Sequence, residues 1–135
     1  DEFDQLPGAE GWQLSNPPIL SMAAIKASLD LFDEVGFKKL IVKSKKLKGY
    51  FEFLLHELNN KHIKIITPSN TKERGCQLSI QVKNTDKSLH HKLTEAGVIS
   101  DWREPDVIRC APVPLYNSFQ DVYHLVHKLK NILNE

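Results

Sequence analysis

Three polar, irregular stretches carry the side chains best placed for chemistry: WQLSNPP at 12–18, TKERGCQ at 71–77 and IRCAPVPLYNS at 108–118. In the third, Arg109 stands near a strand end, beside a loop stiffened by Pro112 and Pro114. A guanidinium held there can grip a carboxylate through two parallel N–H donors. An internal Arg–Asp pair is the equally simple alternative. In the first stretch, Asn16 precedes two prolines at a helix start. Its amide can cap that helix, or it can donate to and accept from an aromatic or carbonyl-bearing ligand.

The other reactive residue types lack the company their chemistry requires. The histidines are His56, His62, His90, His91, His124 and His127, and none forms HExxH or another compact zinc pattern. His124 and His127 are one helical turn apart without a neighbouring carboxylate, so no metal site is expected. Ser28, Ser69 and Ser118 have no GxSxG elbow around them. Cys76 and Cys110 have neither zinc spacing nor a nucleophile signature, and they read as reduced core thiols. The glycines make no phosphate-binding loop or dinucleotide fingerprint. No catalytic nucleophile, cofactor-binding residue or metal ligand is therefore assigned within this chain.

These side chains must be positioned by a single small core. The chain has 135 residues, 41% hydrophobic and 26% charged, and one domain takes about 100–200 residues. Eighteen Lys and Arg against seventeen Asp and Glu leave a net charge of +1, which excludes a globally basic nucleic-acid binder. No run approaches the roughly 18 apolar residues of a membrane span, and the acidic opening DEFDQLPGAEG is unlike a secretory signal. The expectations are a cytoplasmic protein with neither a nucleic-acid nor a membrane partner. Lys38, Lys39, Lys43, Lys45 and Lys46 lie opposite an apolar helical row, with Lys48 at the border, and read as a solvated face.

Residues 1–14, with Pro7, Gly8 and Gly11, form a lead-in segment without a sustained period. A helix then starts at Ser15–Pro17, with Ser15 or Asn16 as its cap, carries Met22, Ile25, Leu29 and Phe32 on one face, and breaks at Gly36. A longer helix follows with Phe37, Leu40, Ser44, Leu47, Phe51, Leu55 and Leu58 on one side, ending near Asn59. Ile63–Ile66 and the alternating run Cys76–Val82 predict neighbouring antiparallel strands. Leu89, Leu93 and Ala96 give a helix stopped by Gly97. Val98–Ile99 reads as a brief strand, Arg103–Asp106 as a turn and Val107–Cys110 as the last strand. Ser118 and Asp121 have capping-box spacing ahead of a helix carrying Val122, Val126, Leu129 and Leu133. The order α, α, β, β, α, β, β, α predicts an α/β fold of the two-layer α+β kind, with helices on a small mixed or antiparallel sheet.

The segments LPGAEGWQLSNPPIL, ITPSN with ERGCQLSI, and AGVISDWREPDVIRCAPVPLYNSFQDVY resemble the corresponding stretches of kynureninases. These are pyridoxal-phosphate hydrolases of the aspartate-aminotransferase fold group. The resemblance covers essentially the whole chain and rests on three separated motifs with unusual proline and aromatic spacing. It implies that residues 15–135 are the C-terminal small domain, roughly the last third, of a longer enzyme, with 1–14 leading in from a large domain. It further implies hydrolysis of L-kynurenine or 3-hydroxy-L-kynurenine to L-alanine and an anthranilate. By the same resemblance, Arg109 holds the substrate α-carboxylate, Asn16 faces its aromatic portion with Ser15 beside it, and Tyr116 and Asn117 form a supporting loop. Arg74 and Gly75 match a structural turn, and Trp12 stands where related chains often carry another aromatic. Pyridoxal 5'-phosphate would be anchored mainly by the large domain, which supplies the Schiff-base lysine. The full-length protein would be a homodimer, and this domain alone would be inactive. A non-catalytic interaction module derived from the same fold is the alternative.

Overall fold

The computed structural model describes residues 3–134, which divide into two compact units, one up to Phe37 and one from Lys38. In the first, a short 3-10 helix, Ala9–Trp12, precedes helix α1, Ile19–Val35. The expected cap by Ser15 or Asn16 does not form: Pro18 is the N-cap residue, without a side-chain cap bond. The reason is steric. A residue that precedes proline is pushed out of the α region, so Asn16 and Pro17 are both kept out of the helix and it begins beyond Pro18. Met22 N–H then donates to the Pro18 carbonyl at 2.9 Å. Gly36 ends α1 as expected, at φ +86°, a conformation that favours glycine.

The second unit contains α2 (Phe37–Glu57, its first residue at the unit boundary), β1 (Ile63–Ile65), β2 (Leu78–Val82), α3 (Lys87–Glu95), β3 (Asp101–Arg103), β4 (Val107–Cys110) and α4 (Phe119–Leu133). The four strands form one antiparallel sheet in the order β1-β2-β4-β3. Side chains alternate between its faces. Leu78, Ile80, Val82, Trp102, Ile108 and Cys110 point to one side and are buried against Leu47, Phe51 and Leu55 of α2, Leu89 and Leu93 of α3, and Val122, Val126 and Leu129 of α4. This is the two-layer α+β arrangement read from the sequence, with the sheet wholly antiparallel.

Two helix ends are closed as the sequence indicates. Ser118 Oγ accepts from Asp121 N–H at 3.2 Å while Ser118 N–H donates to Asp121 Oδ2 at 2.7 Å, a reciprocal capping box. At the end of α3, Gly97 N–H donates to the Thr94 carbonyl and Val98 N–H to that of Leu93, both at 2.9 Å, with Gly97 at φ +82°.

That second cap corrects one expectation. Val98 is spent on closing α3 and Ile99 is 98% exposed, so no strand forms there. The strand is Asp101–Arg103 instead, where Trp102 supplies the buried anchor, and the turn covers only 104–106. Lys48 is the other correction. It is 2% exposed rather than part of the solvated lysine face. Burial, and next the charge of Arg74, lower its pKa. Arg74 itself makes a two-point pair with Glu52, with Nη2 to Oε2 at 2.7 Å, which ties the β1–β2 connection down onto α2.

Phe51 is fully buried at the centre of the core, so Phe51→Ala should cost about 3–5 kcal/mol; chemical denaturation of the purified domain checks this, and a loss below about 1 kcal/mol would place Phe51 outside a packed core. The thiols should also differ. Burial pushes the Cys110 thiol up to about 12 while Cys76 is only half-buried. Iodoacetamide should therefore label Cys76 in the native domain and reach Cys110 only after unfolding.

Candidate functional site

Strand β4 places the central residue. With Ile108 and Cys110 turned into the core, Arg109 must project from the opposite, polar face of the sheet. Register sets its neighbours: Ser79 of β2 on one side and Asp101 of β3 on the other. Arg109 donates from Nε to Asp101 Oδ2 at 2.7 Å and from Nη2 to the same oxygen. Arg103 Nη2 lies 3.2 Å from that oxygen as well.

The internal Arg–Asp alternative is the one the structure shows for Arg109. Its side chain nevertheless keeps 33% of its surface exposed. Hydrogen bonding from Arg109 holds the Asp101 carboxyl below the usual carboxylate range, helped by the charges of Arg103 and Arg109. Two guanidinium groups therefore share one ionised carboxylate, leaving the cluster one negative charge short of balance.

The loop after β4 is rigid by its own bonds. Asn117 Oδ1 accepts from Val113 N–H at 2.9 Å, Asn117 N–H donates to the Val113 carbonyl at 2.7 Å, and Lys43 Nζ donates to the Pro114 carbonyl at 2.6 Å. Asn117 thus shapes the loop, while Tyr116 is 88% exposed. Ser15 and Asn16 are exposed, and the Ser15 carbonyl accepts from Gln13 Nε2 at 2.8 Å. They lie in the first compact unit and Arg109 in the second. Trp12, also in the first unit, is exposed.

A separate cleft of about 310 Å³ lies within the second unit, between the first turns of α4 and the segments 97–99 and 110–112. Its polar groups are largely committed: Asp121 to the capping box and Lys128 Nζ to the Ala96 carbonyl. Arg109 is not among its lining residues. Among the described residues, no group of three His, Cys, Asp or Glu side chains converges as a metal site.

Asp101 and Arg103 were not singled out from the sequence. The signal was present as Asp101-Trp102-Arg103, an apolar residue between opposite charges, which is a strand with one buried and one wet face.

Residues 40–129 match the family described as the kynureninase C-terminal domain. The chain is 52% identical over 133 residues to a kynureninase of Myxococcus xanthus, 98% of this chain and 31% of that protein. A kynureninase of Flavobacterium psychrophilum is 50% identical over 95% of this chain and 31% of its own length. One from Xanthomonas campestris pv. campestris is 48% identical over 96% of this chain and 31% of its own length. Among solved structures, a NifS-like protein from Rickettsia africae superposes with a TM-score of 0.63 at 15% identity, over 72% of this chain and 30% of that one. Acetylornithine aminotransferase from Elizabethkingia anophelis gives a TM-score of 0.62 at 22% identity, over 82% of this chain and 27% of that one. These two likenesses show the fold, that of the aminotransferase group. The chain spans about 31% of the length of the curated relatives it matches, and it belongs to the kynureninase family, as its C-terminal domain.

Proposed function

We propose that the longer protein to which this domain belongs hydrolyses L-kynurenine or 3-hydroxy-L-kynurenine. Water adds across the side-chain Cβ–Cγ bond, giving L-alanine and anthranilate or 3-hydroxyanthranilate. The observation that carries the reading is an accessible guanidinium at Arg109, one anion short of balance, on a domain about half identical to kynureninases along nearly its full length. Arg109 would hold the α-carboxylate, since a planar fork fixes both the position and the rotation of the amino-acid end. Its role is orientation, because a guanidinium stays protonated and transfers no proton at working pH. Ser15 and Asn16 would face the aromatic end, their exposed side chains being free of helix-capping duty. Asn117 would support the site by fixing the loop that displays Tyr116.

The described residues do not fit pyridoxal 5'-phosphate as its anchor. Lys48 is the buried lysine, but it is enclosed beside Arg74 and Glu52 on α2, and a Schiff-base amine must be open to an incoming aldehyde and substrate. The cofactor, its lysine and its phosphate site would accordingly belong to the remaining two thirds of the enzyme. The domain alone would be inactive. The full-length protein would be a cytoplasmic homodimer serving tryptophan catabolism by the kynurenine pathway and the NAD biosynthesis it feeds, with no nucleic-acid or membrane partner.

Arg109→Lys in the full-length enzyme keeps the charge and loses the two-point grip. Its kcat/KM for L-kynurenine should fall about ten- to a hundred-fold, the equivalent of one charge-assisted hydrogen bond or two. Steady-state kinetics with anthranilate release as the readout tests this; an unchanged kcat/KM would remove Arg109 from the site.

A further inference from the structure

We infer that Asp101 is a positioning residue that holds the Arg109 guanidinium by one edge and leaves the other free for the substrate carboxylate. The inference rests on the reading of Arg109 just given. A guanidinium offers two edges that can pair with a carboxylate. One is made of Nε and an Nη2 hydrogen, the other of Nη1 with the remaining Nη2 hydrogen. Asp101 occupies the first with a single oxygen, Oδ2. The end edge is left unclaimed by that contact, and the side chain remains one-third exposed. A competitor for the substrate would take the end edge, whereas Asp101 takes the side edge.

The placement of Asp101 is itself fixed. Trp102 is buried in the core, so the residues flanking it on β3 must face the polar side with Arg109. Asp101 then sits directly across from Arg109 in the antiparallel register. Arg103, on the same face two residues on, reaches the same oxygen at 3.2 Å and helps keep Asp101 charged while it holds Arg109 in place. One carboxylate from the substrate completes the neutralisation of two arginines. The arrangement separates two tasks: the net positive charge attracts the anion, and Asp101 sets the angle at which Arg109 meets it.

That separation gives a kinetic signature. Asp101→Asn in the full-length enzyme raises the local positive charge, so attraction for the substrate is retained and KM should change by less than about threefold. With the guanidinium no longer held, kcat should fall about tenfold, the effect of misplacing the bound substrate by part of an ångström. Asp101→Glu, which keeps the charge, should restore most of kcat. In the Arg109→Lys background, Asp101→Asn should add little further loss, because both act through one contact. Asp101→Ser removes the carboxylate without introducing an amide and should show the same kcat loss, so it decides the matter if the Asn variant does not fold.

A wild-type kcat in Asp101→Asn or Asp101→Ser, or losses that simply add in the double variant, would overturn the inference while leaving the proposed function standing. An unchanged kcat/KM in Arg109→Lys would instead remove the underlying reading, so the two failures are distinguishable.

Discussion

The pairing of β4 between β2 and β3 is the constraint on which the rest of the second unit depends. It is antiparallel on both sides, and its alternation sends Ile108 and Cys110 into the core while turning Arg109 outward. A slip of one residue would bury the guanidinium and expose the two apolar side chains. The energy that fixes Arg109 is therefore hydrophobic and resides on the other face of the sheet, where β4 packs beneath three helices. The placement of Arg109 and the stability of the fold are set by the same four-residue strand.

The helical layer supports this by closing each connection locally. The capping box at Ser118 and the α3 terminus at Gly97 satisfy backbone groups that a short helix would otherwise leave open. The Arg74–Glu52 pair secures the β1–β2 connection through side chains instead, at greater electrostatic cost. It encloses Arg74 to 4% exposure with Lys48 nearby. Such a pair tolerates burial only because both guanidinium edge donors meet both carboxylate oxygens, and removing either partner would strand a charge in the core. Its value is conformational: it ties the irregular connection between Ile65 and Leu78 to α2.

Much of this was legible in the sequence where one local rule decided the outcome. The helical period of Leu47, Phe51 and Leu55, the alternation of Leu78, Ile80 and Val82, and the Ser118–Asp121 spacing each had one dominant reading. Errors arose where two rules competed. Asn16 had the chemistry of a cap, but pre-proline sterics carried the helix start past it. Val98 and Ile99 had strand propensity, but the C-terminal cap of α3 claimed the first and left the second in solvent. Lys48 lay at the border of a polar helical face, and its burial, near Arg74 from 26 residues downstream, depends on the tertiary fold. The position of Arg109 near a strand end was legible from the run Val107–Cys110 and the prolines after it. Asp101 was not, because its contact depends on cross-strand register, which no local window contains.

The central claim is that Arg109 meets the substrate carboxylate with the edge that Asp101 leaves free. A crystal structure of the full-length protein, carrying its cofactor and a kynurenine analogue that cannot be cleaved, tests it most directly. The account predicts the analogue's α-carboxylate within hydrogen-bonding distance of Nη1 and Nη2 of Arg109, with Asp101 still accepting from Nε. A carboxylate bound by other residues, with Arg109 turned away from it, would contradict the account.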